Sequence, residues 1–173
     1  MIAPRVMATD VYFDMSIISA IAKRDTPDET EAILRVLRAG NAGRLSLCTS
    51  EVSKEEMEKY YGEFRPTVEA IYLLMKKANY VNRQELNGMN VLIDKYTCIN
   101  SPMIEDNPLW LDLLRLGLKA LDAHQLTVAI RNACHVFLTS DRDFLIKERK
   151  ATIETRYGIR LRRPSELVNE EGL

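Results

Sequence analysis

Val136-Phe137-Leu138-Thr139-Ser140-Asp141 is the stretch on which the fold turns. Its first four residues read as a buried strand, and the chain leaves that strand on Ser140-Asp141. Upstream, Asp122 stands where an N-cap is expected, with Gln125 at the capping-box position and a stripe of Leu126, Ala129, Ile130 and Ala133 behind it, which predicts a helix feeding the strand. Downstream, Ile159 and Leu161 mark a last strand before Pro164-Ser165-Glu166. The N-terminal part repeats this alternation. Val11-Tyr12-Phe13 is β-prone, ends in Asp14 and runs into the helical stripe Ile17, Ile18, Ile21. Thr26-Pro27-Asp28-Glu29 reads as N-cap, first-turn Pro and capping-box Glu of a helix carrying Ile33, Val36 and Leu37 and stopped by Gly40. Leu45-Ser46-Leu47-Cys48 alternates as a strand, and Ser50 caps a helix with Val52, Met57, Tyr60 and Tyr61 inward.

After Pro66, Val68, Ile71, Tyr72 and Met75 recur at helical spacing. Between Asn82 and Ser101 two signals compete: Leu86, Met89, Ile93 and Tyr96 allow a helix, and Gly88 and Asn90 weaken it. Asn107-Pro108 opens a helix through Trp110, Leu113 and Leu114 to Gly117. Strands separated by helices imply an α/β fold with a mostly parallel sheet, and residues 1–173 are expected to form one domain.

Composition narrows the function classes. With 46% apolar and 28% charged residues in 173, the chain has the make-up of a soluble globular domain able to bury roughly 70% of its unfolded surface. No apolar run approaches the roughly 20 residues of a membrane-spanning helix, and Met1-Ile2-Ala3-Pro4-Arg5 lacks a signal-peptide layout. Cys48, Cys98 and Cys134 are odd in number and unclustered, which fits buried thiols in a reducing cytoplasm, and no Cys/His spacing suggests zinc. The net charge of −1 conceals a basic segment, Arg142 to Arg163, with eight basic residues against three acids. On a last strand Arg160 and Arg162 would share one face, and with Arg163 they are the residues expected to contact the phosphates of a polyanion; a solvated charged face is the plainer alternative.

Open parallel sheets place ligands at the carboxyl ends of their strands. Asp14 and Asp141 occupy two such ends, Asp122 a helix N-terminus just ahead of the Asp141 strand, and Glu51, Glu55 and Glu56 crowd the helix start after Leu45–Cys48. Carboxylates that converge repel one another, and a hard divalent cation such as Mg²⁺ or Mn²⁺ is the usual reason to gather them. Each acid alone also suits a helix cap. His124 and His135 read as surface or capping residues, and Trp110 as core or dimer interface.

Three segments in order, Asp14-Met15-Ser16 after a strand, Leu121-Asp122-Ala123 at a helix start, and Thr139-Ser140-Asp141-Arg142-Asp143-Phe144 after a strand, resemble the sequence blocks of PIN-domain ribonucleases. The close, Arg163-Pro164-Ser165-Glu166-Leu167, is similar too, so that the resemblance spans about Thr9 to Leu167. It implies a three-layer α/β/α sandwich and Mg²⁺- or Mn²⁺-dependent hydrolysis of RNA phosphodiesters. Asp14, Asp122 and Asp141 would be metal ligands, with Ser16 and Thr139 as supporting hydroxyls and Asp143 as an auxiliary acid. A fourth ligand is expected after the second strand, where Glu56 fits best and Glu55 is the alternative register.

Many members of that family are toxins that act as homodimers and are held by a small antitoxin, so the resemblance implies those partners as well. The extra helical material at about 66–108 departs from the compact toxin form. Two other readings stand beside it. One is a catalytically inactive PIN-like module that binds RNA or protein. The other is a haloacid-dehalogenase-like phosphatase, in which Ser16 occupies the place of a required second Asp.

Overall fold

The computed structural model describes residues 8–23, 26–50, 62–70 and 108–173. Among them the chain runs β1 (Thr9–Phe13), α1 (Met15–Lys23), α2 (Pro27–Asn41), β2 (Leu45–Cys48), α3 (Pro108–Arg115), α4 (Ala120–Arg131), β3 (Val136–Leu138), α5 (Lys147–Tyr157), β4 (Arg160–Arg162) and α6 (Pro164–Glu171), with a further helical stretch at 65–70. The strands form one sheet in the order β2-β1-β3-β4, and every pairing is parallel.

The strand period of two splits the core. Val11, Phe13, Val136 and Leu138 turn to one face, where α1, α2 and α6 cover them with Ile17, Ile18, Ile33, Val36 and Leu167. Tyr12, Phe137 and Leu161 turn to the other, under Leu113 of α3, Leu126 and Ala129 of α4 and Ile153 of α5. Helices on both faces of a parallel sheet make an α/β fold compatible with the expected three layers. On the second face Phe137 stacks on Tyr12 at 5.3 Å and meets Phe144 at 4.8 Å, which roots the turn after β3 in the core.

Several local expectations are corrected. Gly40 does not end α2; it lies within the helix, which continues to Asn41, and a Cβ on it would collide with Leu47 of β2. The left-handed turn that leads out belongs to Gly43, at φ +72°. Thr26 makes no side-chain cap, and the expected capping-box partner Glu29 instead accepts from the Ser165 backbone N–H at 3.1 Å and its hydroxyl at 2.6 Å, tying α2 to α6. Asp122 is not the N-cap of α4: Lys119 takes that position and Asp122 sits inside the first turn. His124 is no surface residue, being 4% exposed on a helix whose positions from Ala123 to Ala129 are all buried.

His135 does lie at the surface, where its Nδ1 accepts from the Asp10 backbone N–H at 3.0 Å. Trp110 packs against the second core layer and donates to the Ala120 carbonyl. Cys48 and Cys134 are buried. Glu51, Glu55, Glu56, Tyr60, Tyr61, Cys98 and most of the extra helical material at 66–108 lie outside the described residues. No helix among the described residues is long and apolar enough to cross a membrane.

Candidate metal centre

From β1 the chain crosses to β2 on one side and later returns to β3 on the other. The connections therefore diverge between β1 and β3, and their carboxyl ends open a crevice there. Phe13 pairs with Leu138, and the ladder runs one step further, with the Asp14 N–H donating to the Leu138 carbonyl at 3.0 Å and the Thr139 N–H to the Arg162 carbonyl at 3.0 Å. That register sets Asp14 beside Thr139.

Asp14 is 4% exposed. Its Oδ2 accepts from the Ser16 hydroxyl at 2.6 Å and from the Thr139 hydroxyl at 2.7 Å. These hydroxyls are chained onward: Ser16 Oγ accepts from the Ser140 N–H at 3.1 Å, and Thr139 Oγ1 from the Asp141 N–H at 3.0 Å. Burial pushes the Asp14 carboxyl above its ordinary range, the two hydroxyls draw it back down, and the charge of Asp141 pushes it up again.

The turn after β3 is built by Asp141 itself, whose Oδ1 accepts from the Asp143 N–H at 2.8 Å, an Asx-turn. Folding back in this way brings Asp143 beside its partner. Asp122, arriving on α4, completes a trio with Asp141 and Asp143 in which one carboxylate oxygen of each lies within 4.8 Å of the others. The Asp122 carboxyl is pushed up to about 6, by burial first and then by the charges of Asp14 and Asp141. Its Oδ2 is buried without a hydrogen-bond partner among the described residues. A buried carboxylate oxygen left without a donor is expensive, and a cation ligand is one way such an atom is satisfied.

Sequence reasoning named all the described acids of this crevice, and the geometry reorders them. Asp143, expected as an auxiliary acid, stands in the tight trio with Asp122 and Asp141; Asp14 stands outside the trio, behind the hydroxyls of Ser16 and Thr139. One cation was missed. Lys119, at the N-cap of α4, places its ammonium 3.2 Å from Asp143 Oδ2, and the neighbouring aspartates hold it in its charged form. A lysine three residues before Asp122 was the available signal.

Two of the three arginines expected to touch RNA carry ion pairs within the chain. Arg160 pairs with Glu170 and Glu171 at 3.0 Å each, and Arg162 with Glu154 and Glu170. The Arg163 backbone N–H donates to Glu166 at the start of α6. No family model matches the sequence, and comparison with curated proteins and with solved structures likewise returns no match.

Proposed function

We propose that this chain is a PIN-like ribonuclease that hydrolyses RNA phosphodiester bonds with the help of Mg²⁺ or Mn²⁺. The observation that carries the proposal is the trio Asp122, Asp141 and Asp143 at the β1/β3 crevice, with a buried Asp122 oxygen that has no hydrogen-bond partner among the described residues. The donor set is all carboxylate oxygen, which suits a hard divalent cation. Asp122, Asp141 and Asp143 would hold it, with Asp14 adjoining. Bound there, such a cation supplies Lewis-acid polarisation of a phosphoryl oxygen and a nucleophile near neutral pH.

The chain's own groups set the conditions for this chemistry. Ser16 and Thr139 hold Asp14 in one orientation through Oδ2. The Asx-turn spends only Oδ1 of Asp141 on the backbone. Lys119 offsets part of the negative charge at the solvent side, where an anionic substrate would approach. RNA is the substrate class implied by the order and content of the three blocks, and a homodimer with a small antitoxin follows from the same resemblance.

An assay on mixed single-stranded and structured RNA, with Mn²⁺ and with EDTA, tests the proposal. Cleavage in Mn²⁺ that vanishes in EDTA and in Asp141→Asn supports it. Cleavage that persists in EDTA overturns it. Mn²⁺ binding with no cleavage of any nucleic acid leaves the inactive binding module in its place.

A further inference from the structure

Arg149 differs from the other described arginines around it. Arg156, Arg160 and Arg162 each meet carboxylates. Arg149 rises from the first turn of α5, close to an acid cluster, yet its hydrogen bonds go to backbone carbonyls. Nε donates to the Leu116 carbonyl at 2.8 Å, and Nη1 donates to the Asp143 carbonyl. Those two carbonyls belong to segments far apart in sequence. Leu116 lies in the turn between α3 and α4, just ahead of Lys119 and Asp122, and Asp143 lies in the turn after β3 that carries Asp141.

The α3–α4 turn is shaped to admit the guanidinium. Gly117 has φ +89°, a conformation side chains rarely adopt, and a Cβ there would fall 2.6 Å from Arg149 Nη2. The planar fork of an arginine can hold two carbonyls at fixed separation, whereas a lysine ammonium is a single point on a flexible stem.

We infer that Arg149 is a positioning residue, clamping the Asp141–Asp143 turn to the turn that leads into Asp122 and so fixing the spacing of the three carboxylates. The clamp has a task because those carboxylates repel one another when nothing lies between them. Loss of the fork leaves each turn its own local contacts: Phe144 stays buried and the Asx-turn of Asp141 stays closed. Only the distance between the two turns is released. Asp122 then relaxes away from Asp141 and Asp143, and a cation meets a looser set of oxygens. This inference rests on the proposed metal centre.

The test is Mn²⁺ affinity of the intact chain, read by calorimetry or by the EPR signal of free Mn²⁺. Arg149→Lys and Arg149→Gln are expected to weaken binding roughly 10-fold or more, the usual range for losing a group that orients metal ligands. Cleavage by these variants should need correspondingly more Mn²⁺ while the rate at saturating Mn²⁺ stays near wild type. Arg156→Ala is the control: Arg156 joins the same α5 to α3 through Asp112, at 2.9 Å, so its loss should lower the melting temperature without moving Mn²⁺ affinity. Where Arg149→Gln fails to fold, Arg149→Lys, which keeps the charge and the stem, decides. Wild-type Mn²⁺ affinity in a folded Arg149 variant overturns the clamp and leaves the metal centre standing. A wild type that binds no Mn²⁺ overturns the metal centre and the clamp with it.

Discussion

At the β4–α6 edge Arg160 meets Glu170 and Glu171, and Arg162 meets Glu154 and Glu170. At the carboxyl ends of β1 and β3, the aspartates at 14, 122, 141 and 143 share hydroxyls, backbone N–H groups and, among the described residues, one ammonium, that of Lys119, whose side chain is 76% exposed. Both regions are dense in charge, but the first sets two arginines against three glutamates and the second a single lysine against four aspartates. Ion pairs that close on themselves serve packing. Carboxylates gathered without enough counter-charge raise the free energy of the folded chain, which makes sense when something else supplies the positive charge.

The largest expected effect separates the two regions by activity. Asp122→Asn and Asp141→Asn should each lower Mn²⁺-dependent RNA cleavage roughly 100-fold or more, the scale on which loss of one transition-state-stabilising group is felt. Arg160→Gln should leave cleavage close to wild type, as measured on one RNA substrate at saturating Mn²⁺. Equal losses at both regions would erase the distinction.

Stability should respond in the reverse sense. Arg162 is 15% exposed at its side chain and faces two glutamates, so Arg162→Ala takes the ion-pair partner from Glu154 and leaves Glu170 to Arg160 alone. A loss of about 2 kcal/mol is expected, midway between exposed and buried pairs. For a domain of this size that is a fall of about 4–8 °C in a thermal melt. A melt unchanged by Arg162→Ala would mean that these pairs are ordinary surface contacts.

The pH dependence sharpens the contrast within α4. The Asp122 carboxyl ordinarily ionises near 3.8 and here near 6. Between those values the folded chain keeps a proton that the unfolded chain has released, so this group's contribution falls as pH rises from about 4 to about 6 and stays low above. Burial moves His124 the other way, from 6.5 to about 4, so the unfolded chain takes the proton first and stability is lost as pH falls through that window. The two slopes oppose one another in the wild type. Melting temperature against pH should therefore fall more steeply on acidification in Asp122→Asn, and more gently in His124→Gln. Parallel curves for all three proteins would refute the assignment.

The smallest effect is the relief of repulsion itself. Without metal, Asp122→Asn should stabilise the protein at pH 7–8 by about 1 kcal/mol, after allowance for the partial exposure of the group. Millimolar Mn²⁺ should raise the melting temperature of the wild type and scarcely move that of Asp122→Asn. An Asn variant no more stable than its parent, with a wild type indifferent to Mn²⁺, would return Asp122 to an ordinary first-turn acid that favours the helix dipole.

Much of the frame was legible in the sequence, for reasons visible at particular residues. Leu45–Cys48 forms a strand where the alternation places it, and Val136–Leu138 and Arg160–Arg162 fall within a residue of the expected runs. Apolar runs bounded by turns carry their own signal. The helix Lys147–Tyr157 carried none, because Ile153 is its one buried residue and no helical stripe is written in it. His124 was misplaced for the opposite reason: α4 is buried from Ala123 to Ala129, so position in the first turn says nothing about exposure.

The sequence by itself determined that strands alternate with helices and that acids stand at the strand ends, since both follow from local periodicity and from the identity of the residue that ends each run. Only the tertiary structure decided which charges are answered. Arg160 and Arg162 are paired because α6 returns Glu170 and Glu171 to them. Asp143 joined Asp122 and Asp141 because an Asx-turn folds it back and Arg149 ties that turn to the next segment. Such pairings depend on distances between residues far apart in the chain, and those distances are set by sheet order, helix packing and turn geometry together.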